Sequence, residues 1–146
     1  KEIRDKKGLA YSVYSRFDVN KYPGAFSVEI QTKNESALEA LEGIKAELKK
    51  IRDEKVSDEE LKDAKSYITG SFPLKFDTNA KISNFLVQIE FYNLGLDYLN
   101  EYVKKIEGIT KDDIMRVARK YIDTENYIMV AVGNQEKTGL KEVTNK

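Results

Sequence analysis

The hydrophobic pattern of this chain changes period once, near Ser36, and that change constrains the fold more than any other feature. Before it, Leu9, Tyr11, Val13 and Phe17 recur at period two, as do Phe26, Val28 and Ile30. Side chains alternate across a strand, so both stretches read as strands with one buried face. The loop around Asn20-Lys21-Tyr22-Pro23-Gly24 between them predicts an antiparallel hairpin.

After Ser36 the spacing becomes three or four. Leu38, Leu41, Ile44, Leu48 and Ile51 mark one amphipathic helix between Ser36 and Glu54. Ser57-Asp58-Glu59-Glu60 has the S-x-x-E spacing of a capping box and predicts a second helix, carrying Leu61, Ala64 and Ile68 inward and interrupted by Gly70 and Pro73. Three shorter helices follow, on Ile82, Phe85, Leu86 and Ile89, then on Leu96, Leu99, Val103 and Ile106, then on Ile114, Val117, Ala118 and Tyr121 after a Thr110 cap.

Both ends are read by composition and turn chemistry. Lys1 to Gly8 resembles the end of a helix, with Lys6 and Lys7 at the negative end of the dipole and Gly8 in the left-handed position after it. Tyr127 to Val132 is a continuous apolar run ended by Gly133, which predicts a strand buried in mid-sheet. The fold class expected is therefore α+β, a mainly antiparallel sheet with helices packed on one face. Three strands make a thin sheet, so an opening strand and helix are expected upstream of Lys1. On this reading residues 1–133 form the domain and residues 134–146 a frayed polar tail.

Composition narrows the chemistry. The 146 residues contain no histidine and no cysteine, which removes the commonest zinc ligands, thiolate nucleophiles and any catalytic triad built on His. Charge is balanced at 25 basic and 25 acidic residues, leaving no net field to draw a polyanion, and nucleic acid is not an expected partner. No apolar run approaches the roughly 18 residues of a membrane span. Glycine-rich phosphate loops are absent. Asp58, Glu59 and Glu60, and Asp112 and Asp113, group carboxylates in first helical turns, where the helix dipole favours negative charge; no metal role is assigned to them.

One constellation remains, Arg4 at the helix end and Tyr11 at the strand start, seven residues apart across Gly8. A guanidinium and a phenol projecting from one rim of a sheet can hold a peptide carbonyl, or the oxyanion formed when water attacks it. The structural alternative is an exposed Arg and a Tyr packed among Leu9 and Val13.

The segment Ile3-Arg4-Asp5-Lys6-Lys7-Gly8-Leu9-Ala10-Tyr11-Ser12-Val13 resembles the R-x-x-x-G-L-A-Y stretch in the second-half domains of insulinase/pitrilysin-like and mitochondrial processing peptidase-like zinc proteases. The likeness continues through Gly24-Ala25-Phe26, Val56 to Lys65, Gly70, Ile109 to Ile114, Val117 to Tyr121 and Val130-Ala131-Val132-Gly133. It implies a division of labour in which a homologous first domain or a separate subunit carries zinc and the catalytic Glu. The second domain would then close a chamber around the peptide, with Arg4 and Tyr11 on the substrate backbone. Alone, such a chain is not expected to hydrolyse peptides; the alternative within the family is a non-catalytic scaffold subunit. With part of its sheet uncovered, the isolated chain is also expected to self-associate.

Overall fold

The computed structural model describes residue 3 and residues 8–19, 21–22 and 24–141. Two compact units are present, one of residues 1–53 with 118–146 and the other of residues 54–117.

In the first unit, β1 (Ser12–Phe17) and β2 (Phe26–Gln31) pair antiparallel, with Ser12 opposite Gln31 and Phe17 opposite Phe26. The predicted antiparallel hairpin is thus present. Directly opposed residues gain most from large apolar contacts, and the Phe17 and Phe26 rings lie 4.7 Å apart, with Tyr121 edge-on to Phe17 at 6.4 Å. Arg16 bridges Asp18 at 3.1 Å and Glu29 at 3.0 Å on the exposed side. The ladder continues one step past β1, where the Asp18 N–H donates to the Ala25 carbonyl at 2.8 Å.

A 3-10 turn at Asn34–Ser36 leads into α1 (Ala37–Asp53), which buries the small residues Ala40 and Gly43. Hairpin and helix flank an open groove of about 240 Å³ lined by Val13, Tyr14, Ser15, Val28, Ile44 and Leu48 among others. The side chain of Ile3 is buried and faces Gly43. At the far end of α1 the Arg119 guanidinium donates to the Arg52 carbonyl at 2.8 Å, placing a cation where carbonyls are unsatisfied.

The second unit is built from helices. α2 (Asp58–Ser71) opens on the full capping box, with Glu60 N–H donating to Ser57 Oγ at 3.1 Å and Ser57 N–H to Glu60 Oε2 at 2.8 Å. It runs past Gly70 and gives way to a 3-10 turn, Phe72–Phe76, at Pro73. Then come α3 (Asn79–Phe91), capped by Thr78, and α4 (Tyr98–Glu107). α5 (Lys111–Tyr121) begins in this unit and ends in the first. Phe72 is the hub: it is buried, stacks on Tyr102 at 4.0 Å and meets Phe76 edge-on at 5.1 Å, while Phe76 meets Phe85 at 4.8 Å. Such ring pairs add about 0.5–1.5 kcal/mol each beyond area burial. The N-termini of α2 and α5 are cross-tied by Lys55 to Asp112 at 2.7 Å and Lys111 to Asp58 at 2.6 Å.

The architecture is α+β as expected, six helices and a two-stranded antiparallel sheet among the described residues. Three local expectations are corrected. Tyr127–Val132 is extended but is not a strand. A strand exists through bonds to a neighbour, and no backbone group of this run pairs with a described residue. Nor is it buried, since Ile128 and Val132 are open to solvent. Residues 134–139 are not frayed: Asn134 caps α6 (Gln135–Thr138) by accepting from Lys137 N–H at 3.1 Å, Thr138 is buried, and Gly139 ends the turn at φ 66°. A Cβ at Gly133 would stand 2.6 Å from Asn34 Oδ1, so a larger residue there would displace the Asn34 side chain. In α2, Ala64 and Ile68 are exposed rather than turned inward. The helix end expected over residues 1–7 lies outside the described residues, except for Ile3.

Two outcomes test this account. Ser57→Ala removes one arm of the capping box and is expected to cost about 1 kcal/mol, read as a fall in thermal midpoint of about 3 °C; an unchanged midpoint would show that packing alone holds α2. At α5, hydrogen bonds from the Thr110 hydroxyl and N–H, with Arg116 beside them, lower the Asp113 carboxyl from 3.8 to about 2. A depressed carboxylate stabilises the folded state above its unfolded pKa and loses that contribution as pH falls through the folded one. The midpoint difference between wild type and Asp113→Asn should therefore be full at pH 5 and shrink between pH 4 and pH 2.

Candidate functional site

The site residues predicted from sequence are Arg4 and Tyr11. Arg4 lies outside the described residues. Tyr11 is described, and the backbone around it is held at several points. Gly8 has φ 62°, the left-handed conformation that glycine adopts without penalty, and this turns the chain toward β1. The Leu9 N–H donates to the Ile3 carbonyl at 3.1 Å, closing the turn, and the Thr32 hydroxyl donates to the Leu9 carbonyl. The Tyr11 N–H then donates to the Gln31 carbonyl at 2.9 Å, just ahead of the first ladder pair.

On this anchored stretch the Tyr11 side chain is 88% exposed. It is not packed among Leu9 and Val13. The period-two reading of Leu9, Tyr11 and Val13 is corrected at the same point. Tyr11 precedes the strand, in a bend, and is not bound to the alternation of β1. Its phenol makes no hydrogen bond to a described residue and can both donate and accept.

Sequence reasoning missed Thr32. Its signal was weak, a β-branched hydroxyl residue one position beyond β2, yet it fixes the Leu9 carbonyl and so the approach to Tyr11. The Ser12 hydroxyl adds a bond to the Gln31 side chain at 3.3 Å.

The acidic groups do not form a metal centre. Asp58 and Asp112 are engaged by lysines, Asp113 by Thr110 and Arg116, and Glu60 by the cap of α2. No group of three or more potential ligands converges among the described residues. A zinc ion of a hydrolytic type prefers His and Cys with carboxylate, and the chain has neither His nor Cys, so the residues present do not fit zinc. A second groove of about 300 Å³, lined by Asp58, Leu61, Lys62, Lys65, Ser66 and Glu107, is an open cleft whose charges are already paired: Lys65 donates to the Glu107 carbonyl at 2.6 Å. No helix among the described residues is long and apolar enough to cross a membrane.

Comparison with known proteins bears on the family and the fold. Residues 1–68, which include Arg4, the Gly8 turn, Tyr11 and the hairpin, match the family described as peptidase M16 inactive domain. The chain is 26% identical over 136 residues to a non-peptidase homolog, YmxG, of Helicobacter pylori, spanning 93% of this chain and 32% of that protein. It is 27% identical over 118 residues to an uncharacterized zinc protease of Streptomyces coelicolor, spanning 81% of this chain and 26% of that protein. The chain thus spans about a third or less of these relatives. Among solved structures, a peptidase M16 inactive domain from Pseudomonas fluorescens superposes with a TM-score of 0.76 at 29% identity, over 85% of this chain and 29% of that one. A protease from Helicobacter pylori shares the fold with a TM-score of 0.71 at 24% identity, over 85% of this chain and 30% of that one. The zinc of this family belongs to its other domain. The matched segment, the relatives and the shared fold all make this chain similar to the inactive domains of the peptidase M16 family.

Proposed function

We propose that this chain is the substrate-binding, chamber-closing half of a zinc-dependent metalloendopeptidase, with the zinc site supplied by a homologous domain or subunit. The observation that carries the reading is the exposed Tyr11 phenol on a rigidly bonded stretch of backbone, directly after the Gly8 turn and seven residues from Arg4. Tyr11 is one of several exposed tyrosines, and what distinguishes it is its hydrogen-bonded backbone and its spacing from Arg4. That combination suits a group that meets a ligand.

In this reading the two residues divide the work. Arg4 brings a permanent positive charge and several donors, and Tyr11 a single directed O–H. Both would hold the peptide backbone at the scissile carbonyl. As charge develops on its oxygen they would stabilise it, while the partner domain supplies the metal and the base that activate water.

A second reading, a non-catalytic scaffold subunit, is favoured by one finding, that the relative from Helicobacter pylori is named a non-peptidase homolog. Retention of both Arg4 and Tyr11 speaks for the peptidase half, since a scaffold needs neither side chain.

Hydrolysis of a fluorogenic peptide by this chain combined with its zinc-bearing partner, or by the complete protein, tests the proposal. Removing an oxyanion donor typically lowers kcat about 100-fold or more, so Tyr11→Phe and Arg4→Ala should each fall on that order with zinc content and thermal midpoint unchanged. Wild-type turnover in both variants would return the chain to the scaffold reading.

A further inference from the structure

The backbone at Tyr11 departs from the ladder it leads into. Hydrogen-bonded and non-hydrogen-bonded pairs alternate along antiparallel strands. The Asp18 N–H donates to the Ala25 carbonyl, so counting back along the register makes Ser12 and Gln31 a hydrogen-bonded pair. The next step would set Tyr11 against Thr32 as a non-hydrogen-bonded pair, in which the N–H turns away from the neighbouring strand. The Tyr11 N–H instead donates to the Gln31 carbonyl at 2.9 Å, one residue out of register. Tyr11 and Ser12 thus both face Gln31, the arrangement of a β-bulge, and a bulge re-aims the side chain it carries. This slip takes Tyr11 off the alternation of β1 and leaves it 88% exposed.

A slip interrupts the ladder, and the backbone beyond it needs other partners. The Thr32 hydroxyl supplies one by donating to the Leu9 carbonyl. The Leu9 N–H donates to the Ile3 carbonyl at 3.1 Å, one peptide bond ahead of Arg4. Both backbone groups of Leu9 are therefore engaged, and its carbonyl is held by a side chain rather than by a strand. The consecutive residues Gln31 and Thr32 grip Tyr11 and Leu9 on either side of Ala10, which restrains the segment that follows the left-handed Gly8.

We propose that Thr32 is a positioning residue for peptide binding, its hydroxyl fixing the bulge from which Tyr11 meets the substrate backbone, a role that rests on the peptide-binding reading of Tyr11. Without the hydroxyl the Leu9 side of the bulge is released, and the phenol is no longer presented in one direction. A displacement of about 1 Å in a group that positions substrate can cost about 100-fold in rate.

The test compares Thr32→Val, which keeps the β-branched shape and removes the donor, with Thr32→Ser, which keeps the donor. Amide hydrogen exchange in the complete protein reads the clasp independently of activity. In Thr32→Val the Tyr11 amide should exchange at least about 10 times faster than in wild type, with exchange at the Phe17 and Phe26 end of the ladder unchanged. Peptide hydrolysis by the same protein reads the function: Thr32→Val should lower kcat at least about 10-fold with zinc content unchanged, and Thr32→Ser should stay within about threefold of wild type. Because Thr32 acts through Tyr11, the double variant of Tyr11→Phe with Thr32→Val should be no slower than Tyr11→Phe alone, whereas a residue that only supports folding adds its own loss. Unchanged exchange at Tyr11, wild-type turnover in Thr32→Val, a Thr32→Ser protein as slow as Thr32→Val, or additive losses in the double variant each overturn the proposal and leave the role of Tyr11 intact. Wild-type turnover in Tyr11→Phe, or no hydrolysis by the wild-type protein, removes that role and this one with it.

Discussion

The antiparallel ladder between β1 and β2 is the constraint on which the first unit depends. It sets Phe17 against Phe26, gives Tyr121 a ring to abut, and provides the wall that, with α1, flanks the groove below the hairpin. It also determines where the candidate site lies. The Gln31 carbonyl at the end of β2 takes the Tyr11 N–H, and Thr32 just beyond takes hold of the Leu9 carbonyl. Tyr11 is thereby tied by its backbone to the end of β2. Backbone hydrogen bonds do this well because each leaves a neighbour's dihedral angles little freedom, so the side chain is presented in one direction.

The second unit obeys a different rule. Its helices are capped locally, through Ser57, Thr78 and Thr110, and held together by rings gathered on Phe72. Ion pairs between Lys55 and Asp112 and between Lys111 and Asp58 cross-tie two helix starts, but they are exposed and contribute little individually. Few large side chains are fully buried anywhere among the described residues, and the apolar surface left open is extensive. The Tyr127–Val132 run is the part of that surface where open backbone and open side chains coincide.

Among the described residues several carboxylates serve caps and cross-ties and no three potential ligands converge, and with neither histidine nor cysteine in the chain these residues do not fit a zinc centre. The proposed role in holding a peptide rests on the exposed Tyr11 at the anchored start of β1.

Much of this was legible in the residues themselves. The helices from Ala37 to Tyr121, the caps at Ser57 and Thr110 and the hairpin follow from spacing and cap chemistry, which act within a few residues. Left-handed Gly8 belongs to the same class. Tertiary structure alone decided the rest. An apolar run such as Tyr127–Val132 has the composition of a buried strand, yet pairing depends on a distant neighbour, and none is bonded to it among the described residues. The period-two pattern placed Tyr11 on a buried face. The strand begins one residue later, and the bend before it releases the side chain to solvent. The clasp of Thr32 on Leu9 joins residues 23 positions apart. The sequence names both partners, but only the hairpin's register brings them together.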